Sequence, residues 1–248
     1  MKTKPTLLIH PTSGNMSYIG IIGAKRLDDS NASLGLIEAQ KKAVQLLRCS
    51  TDMHMIKQQT GWEMGVDGKW RYEVADPFHN TVEIEDHLKR HFGESINISL
   101  CMHDISLLIA YPAFERLSLY ARYTPTNKFS GYFNPLSYGM MICMGTLNSP
   151  FQYQTEGVLL HEVQHLIQEE EDFARGGNLS QGRRWYLRMA GEVEARNVCI
   201  RHSMSSEQRR SSLRTDTQDV PDAEQIIKLF IKFSDRGFFS TFIVDSRL

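Results

Sequence analysis

The chain has 248 residues, 41% hydrophobic and 23% charged, a composition that suits an ordinary soluble globular protein large enough to fill one core. Its formal net charge is −1 with both signs mixed, which leaves no basic footprint for nucleic acid, and no apolar run approaches the roughly 20 residues that span a bilayer. Cys49, Cys101, Cys143 and Cys199 are scattered without a CxxC pair, a pattern of reduced thiols in a cytoplasmic compartment and not of a disulfide framework or a cysteine-held zinc.

The opening decapeptide has a basic start, but its apolar stretch is too short for a secretory signal. Residues 1–30, rich in Gly, Ser and Asn, are expected to form an irregular lead-in. Between residues 33 and 48 the apolar side chains Leu36, Ala39, Ala43, Val44 and Leu47 recur at helical spacing. Asp52 can cap a second, short helix carrying Met55 and Ile56, and Gly61 can end it. Residues 62–74 then read as a hairpin with Asp67-Gly68 as its turn and aromatics at alternate positions. Cross-strand packing explains Trp62 and Trp70 better than a ligand platform does.

The middle of the chain reads as sheet. Ile96, Ile98 and Leu100 alternate with Asn97 and Ser99, and Leu117, Leu119 and Ala121 alternate with Ser118, Tyr120 and Arg122. A helical turn at 104–110, ending at Tyr111-Pro112, is expected between them. Residues 131–135 mark a turn, and residues 138–144 form a short apolar strand whose methionines read as core filler.

His161-Glu-Val-Gln-His165 follows. Residues four apart on a helix lie one above the other, so His161 and His165 can share one metal ion. Neutral imidazoles suit zinc, which in catalytic sites takes three protein ligands and keeps a fourth position for water. Glu162, directly after the first histidine, can reach that water as general base. HExxH arises by chance in roughly a few per cent of chains of this make-up, so context matters. Val158, Leu159, Val163, Leu166 and Ile167 supply it, as a broad apolar face that marks a buried site helix. Gly176-Gly177 is expected to stop that helix.

A second helix over residues 186–197 offers the third ligand. With Val193 at the centre of its buried face, and Tyr186, Met189, Asn197 and Ile200 nearby, Glu192 and Glu194 lie about 100° to either side. One ion can take only one of them, and periodicity does not choose. Tyr186, Arg196 and His202 are candidates for steadying an oxyanion. Further on, 205–208 is a capping box for a short basic helix, and 209–219 a polar surface loop. Residues 223–233 are expected to form a last helix with Ile226, Ile227, Phe230 and Ile231 inward. Phe238, Phe239, Phe242 and Ile243 close the chain as an apolar strand or partner surface. Without repeats, low-complexity tracts or an obvious linker, residues 1–248 read as one domain.

His161-Glu-Val-Gln-His165-Leu-Ile-Gln168, Phe173-Ala-Arg-Gly-Gly177, Ala190-Gly-Glu-Val-Glu-Ala-Arg-Asn197 and Thr217-Gln-Asp-Val-Pro221 together resemble the twenty-third class of metallopeptidase-like large polyvalent protein-associated domains. These occur in large multidomain proteins of phages and mobile elements. The resemblance extends upstream through Ile19-Gly20, Gly23-Ala24-Lys25, Thr60-Gly61-Trp62, residues 67–73 and Ala110-Tyr111-Pro112. More broadly, HExxH followed by Glu-x-x-Ala is similar to the gluzincin branch of zinc peptidases, whose third ligand is the first glutamate of that motif. The resemblance thus implies Glu192 as ligand, although Arg196 stands where an Asp or Asn often follows, and leaves Glu194 as an acid that supports the ligands from behind or is solvated, paired with Arg196 or Arg188. It also implies an α+β, zincin-like fold with a small mixed or antiparallel sheet and a metallopeptidase-like core over residues 60–248. In such folds the strand before the HExxH helix edges the cleft, where an extended peptide adds by backbone hydrogen bonds.

The expected function is a Zn2+-dependent peptidase, with metal ligands His161, His165 and Glu192 and general base Glu162, acting in the cytoplasm on a peptide or protein, without nucleic acid or membrane. Its rival is a phage or mobile-element accessory module that keeps a structural metal site and acts by binding. A metal-dependent hydrolase of another substrate is a weaker third. Glu162 favours the enzyme, because a binding module has no need of a carboxylate beside the metal's water.

Overall fold

In the computed structural model, residues 18–23, 34–75, 90, 93–98, 111–123, 130–144, 152–233 and 238–245 are described. Helix α1, Leu34–Arg48, and helix α2, Met53–Thr60, form where apolar spacing and a cap place them. Asp52 accepts the His54 backbone N–H at 2.9 Å, and Gly61 closes α2 at φ 82°, a left-handed conformation that costs glycine nothing. Strands β2, Trp62–Met64, and β3, Trp70–Ala75, make the expected hairpin. Trp62 stands opposite Tyr72 with ring centroids 5.2 Å apart, so cross-strand packing accounts for it.

The lead-in is not wholly irregular. Strand β1, Tyr18–Ile22, pairs with the other edge of β3, giving the antiparallel order β1-β3-β2. Its Tyr-Ile-Gly-Ile-Ile run is rich in strand formers, and Gly20 adjoins a register shift instead of breaking the strand. The remainder of residues 1–30 and the turn expected at 104–110 lie outside the described residues.

A second, mixed sheet has the order β4-β5-β7-β6, from Ser95–Asn97, Ser118–Tyr123, Gly139–Met144 and Ser130–Asn134 respectively. β5 and β7 run parallel and the other pairs antiparallel. The turn expected at 131–135 is instead strand β6 as far as Asn134. Tyr132 and Phe133 favour the strand, and the chain reverses over 135–138 with Tyr138 at φ 49°. β6 is therefore an edge strand, with β4 at the opposite edge, and β7, expected at the edge, is interior.

Helix α3, Gln152–Glu170, packs on β6 and β7 on one side and on helix α5, Ala190–His202, on the other. Leu159, Val163, Leu166 and Ile167 are buried in one core cluster with Leu119, Phe133, Met140 and Ile142 of the mixed sheet, Val198 of α5, and Ala43, Ile56 and Trp62. Each large side chain buried there contributes about 1.5–3 kcal/mol relative to exposure.

α3 stops at Glu170, before Gly176-Gly177. Asp172 takes the left-handed turn at φ 53°, and the Phe173 N–H returns to the Gln168 carbonyl at 2.9 Å, so no glycine is needed there. The second glutamate-bearing segment is likewise two helices. Helix α4, Arg183–Arg188, holds Tyr186, and extended Met189, bridged to Ile226, separates it from α5.

The expected last helix is a strand. Strand β8, Ile226–Phe233, pairs antiparallel with β9, Phe238–Asp245. Ile227, Leu229, Ile231 and Phe233 alternate with Lys228, Phe230 and Lys232, and this period of two prevails. Helix α6, Ser206–Ser211, carries the expected capping box, with Gln208 N–H to Ser205 Oγ at 3.2 Å and Ser205 N–H to Gln208 Oε1 at 2.8 Å. The segment after it is no solvated loop, since Arg209 and Arg214 are buried. Buried Lys57 bonds Glu63 and lies 3.0 Å from Glu73, whose Oε1 also takes Arg201 Nε at 2.6 Å. Glu63 Oε2 accepts the Arg214 N–H at 2.8 Å, so the N-terminal helices and hairpin are tied to the C-terminal segment by satisfied charges. Cys49, Cys143 and Cys199 are free thiols, and among the described residues no helix is long and apolar enough to cross a membrane.

Candidate metal centre

His161 and His165 stand one turn apart on α3, their rings edge to face with centroids 4.8 Å apart. Their Nε2 atoms are 3.1 Å from each other. Glu192, in the first turn of α5, brings Oε2 to 3.3 Å from His161 Nε2 and Oε1 to 3.5 Å from His165 Nε2. The three ligand atoms lie within 4.8 Å of one another. Oε1 accepts the Gly177 N–H at 3.0 Å, whereas buried Oε2 makes no hydrogen bond of good geometry.

Glu194 faces away. Its Oε2 accepts from Arg71 Nε at 3.0 Å and its Oε1 from Gln164 Nε2 at 2.8 Å. The pairing of Glu194 with Arg196 or Arg188 does not occur, because Arg196 pairs with Asp219 at 2.7 Å and Arg188 donates to the Glu224 carbonyl at 2.7 Å.

Two glycines allow this approach. A Cβ on Gly191 would meet the Ala174 carbonyl oxygen at 2.7 Å, and one on Gly176 would meet His165 Cε1 at 2.8 Å. Gly176 therefore makes room beside the imidazole and does not act as a helix stop. On the opposite side a Cβ on Gly131 of β6 would meet Glu162 Cγ at 2.6 Å, so the edge strand lies directly against the carboxylate.

The charges are strongly coupled. Burial pushes the Glu162 carboxyl up to about 7, with Glu192 adding to the rise and His165 and the Phe133 N–H opposing it. Burial raises Glu192 as well, but the charge of His165 and hydrogen bonds from both imidazoles outweigh it and hold the group well below the usual carboxylate range. Burial lowers His161. It would lower His165 too, but Glu192 prevails and raises that ring to about 9. Burial and then Glu192, to which its hydroxyl is hydrogen-bonded, keep the Tyr186 phenol protonated far above neutrality.

These groups line a cleft of about 600 Å³. Gly131, Tyr132 and Phe133 of β6 form one wall, Gly176–Gln181 and Tyr186 another, with His161, Glu162, His165 and Glu192 between. Of the three oxyanion candidates, Tyr186 lines this cleft. Arg196 is engaged with Asp219 and the Leu187 carbonyl, and His202 is not among the lining residues described. Two imidazole nitrogens and a carboxylate converging on one point form a donor set suited to zinc, and buried Glu192 Oε2, 3.3 Å from His161 Nε2 without a well-formed hydrogen bond, fits a ligand position. The parts missed from sequence are Gly131, Gly176 and Gly191, and the anchoring of Glu194 by Arg71. The Gly176-Gly177 doublet, two single glycines and an arginine given no role were the only hints.

Residues 23–80 match the family model described as Large polyvalent protein associated domain 23. The match covers α1, α2 and the β2–β3 hairpin and ends before α3, so it supports that domain family and is silent on the likeness to zinc peptidases. No curated protein and no solved structure matches the chain.

Proposed function

We propose that the chain is a zinc-dependent peptidase with a zincin-like arrangement of its active-site helix, held to the metal by His161, His165 and Glu192. The observation that carries this reading is the convergence of those three side chains in a cleft that also holds Glu162. Zinc bound there supplies a Lewis acid for the scissile carbonyl and an acidified water. Glu162, whose carboxyl burial pushes up to about 7, stands beside the ligand set where it would accept a proton from an attacking water and return it to the leaving amine. Tyr186 is protonated, hydrogen-bonded to Glu192 and on the cleft wall, so its phenol can donate to a developing oxyanion. Edge strand β6 offers backbone donors and acceptors along which an extended peptide adds.

The test is cleavage of a broad peptide library by the zinc-loaded full chain beside its Glu162→Gln variant. The variant should keep its zinc and lose about 10²–10⁴-fold in rate, the usual contribution of a general base. An unchanged rate would remove Glu162 from the chemistry. A second reading is a phage or mobile-element accessory module with a structural metal, which the family match over residues 23–80 fits as well as it fits the peptidase, since its description names no activity. A wild-type chain that binds zinc and cleaves nothing in the library would favour that module.

A further inference from the structure

Gln168, only 1% exposed, sits one turn beyond His165 on α3 and has no part in the chemistry above. Its Nε2 lies 2.9 Å from the Gly191 carbonyl oxygen and 3.3 Å from Glu194 Oε1. A carbonyl oxygen and an ionised carboxylate only accept, so the amide must turn its NH2 toward both. Its Oε1 then faces His165 Nδ1 at 2.8 Å. An amide oxygen only accepts in turn, so Nδ1 keeps a proton bound to Gln168, and Nε2, beside His161 and Glu192, is the nitrogen left to give its lone pair to a metal.

The orientation of Gln168 is itself anchored. Glu194 is held by Gln164 and by Arg71, which reaches it from strand β3. Arg71 is gripped by Asp67, NH1 to Oδ1 and NH2 to Oδ2 both at 2.9 Å, and its guanidinium stacks 3.3 Å above the Phe173 ring. Asp67 also accepts the Ala174 N–H at 2.8 Å. The hairpin is thereby clamped to the loop between α3 and α5.

We infer that Gln168 is a positioning residue that fixes the ring of His165 for metal binding through Nε2, and that Glu194, held by Arg71, fixes Gln168. The inference rests on the metal-centre reading and assigns the β2–β3 hairpin a role in it. Partners that orient a metal-bound imidazole typically govern 10–100-fold in metal affinity.

The experiment uses the full chain, zinc-loaded and labelled with ¹⁵N-histidine. Zinc dissociation constants come from chelator competition, and exchange of the His165 Nδ1–H comes from NMR. Gln168→Met should raise the dissociation constant about 10–100-fold and expose the Nδ1–H to rapid exchange. Glu194→Gln should raise it about 2–10-fold, the net contribution of one hydrogen bond. Glu63→Gln is the control for general destabilisation, because Glu63 is equally buried but serves Lys57 and the Arg214 N–H; it should lower the melting temperature and leave zinc affinity unchanged. If the wild type binds zinc but Gln168→Met binds as tightly with Nδ1–H still protected, the inference falls while the metal centre stands. Equal zinc loss in Glu63→Gln and Gln168→Met would also overturn it, as generic unfolding. A wild type that takes up no zinc would overturn the reading beneath it.

Discussion

Replacing Arg71 with leucine should be among the most damaging single changes in the fold. The guanidinium is 1% exposed, and the side chains it neutralises, Asp67 and Glu194, are 0% and 9% exposed. At about 3 Å and an effective dielectric near 20, each attraction is roughly 5 kcal/mol before desolvation is subtracted. Leucine removes the attraction but leaves two carboxylates buried, and breaking a buried pair in this way typically costs 3–5 kcal/mol. For a chain of this length that corresponds to about 6–20 °C in melting temperature. The loss also depends on pH. Burial raises the Asp67 carboxyl, but Arg71 outweighs it and holds the group below the ordinary range. The resulting stability is present above the unfolded value of about 3.9 and is lost as pH falls through the folded one. In Arg71→Leu the Asp67 carboxyl keeps its burial, opposed now only by the Ala174 and Lys69 N–H groups, so it takes up a proton at higher pH than in the wild type and the strain is relieved in acid. Urea denaturation should therefore show the widest gap between wild type and variant at pH 7, narrowing toward pH 4. A gap under about 1 kcal/mol at pH 7, or one that does not change with pH, would refute the reasoning.

Glu192→Ala should weaken zinc binding far more than Glu194→Ala, since only Glu192 reaches both imidazoles; competition with a chelator checks the ranking, and equal losses would contradict it. Because Glu192 raises His165 to about 9 in the metal-free chain, zinc must displace a proton there at neutral pH. Its affinity should fall about tenfold per unit as pH drops from 9 to 7, and a flat isothermal-titration profile would count against this. Gly191→Ala forces a Cβ into the backbone of residues 174–176, so it should cost about 1–3 kcal/mol in thermal unfolding and loosen zinc, and wild-type behaviour in both would show that the close packing is not needed.

Local chemistry was readable where one short stretch determines the outcome. The i, i+4 spacing of His161 and His165, the Asp52 cap, the Asp67-Gly68 turn and the 205–208 capping box all depend on neighbours within a few residues. The choice of Glu192 over Glu194 was not readable from periodicity, because the two flank α5 symmetrically and the choice is made by what each flank meets. That partner, Arg71, lies 123 residues from Glu194 in sequence. The glycines were read as stops because helix ends commonly use them, yet Asp172 ends α3 and Gly176 makes room for His165. Residues 226–233 misled because Ile226, Ile227, Phe230 and Ile231 also fit a helical face. The alternation of Ile227, Leu229, Ile231 and Phe233, and pairing with β9, decide for a strand.

The central claim is that His161, His165 and Glu192 hold a zinc ion. The most direct measurement is elemental analysis of the purified full chain after mild dialysis and after zinc addition, with zinc-edge X-ray absorption on the loaded protein. The account predicts about one zinc per chain, with nitrogen and oxygen ligands at about 2.0–2.2 Å and no sulfur, and loss of that zinc in Glu192→Ala. Zinc that is substoichiometric and not restored by addition, or zinc held by sulfur, would contradict it.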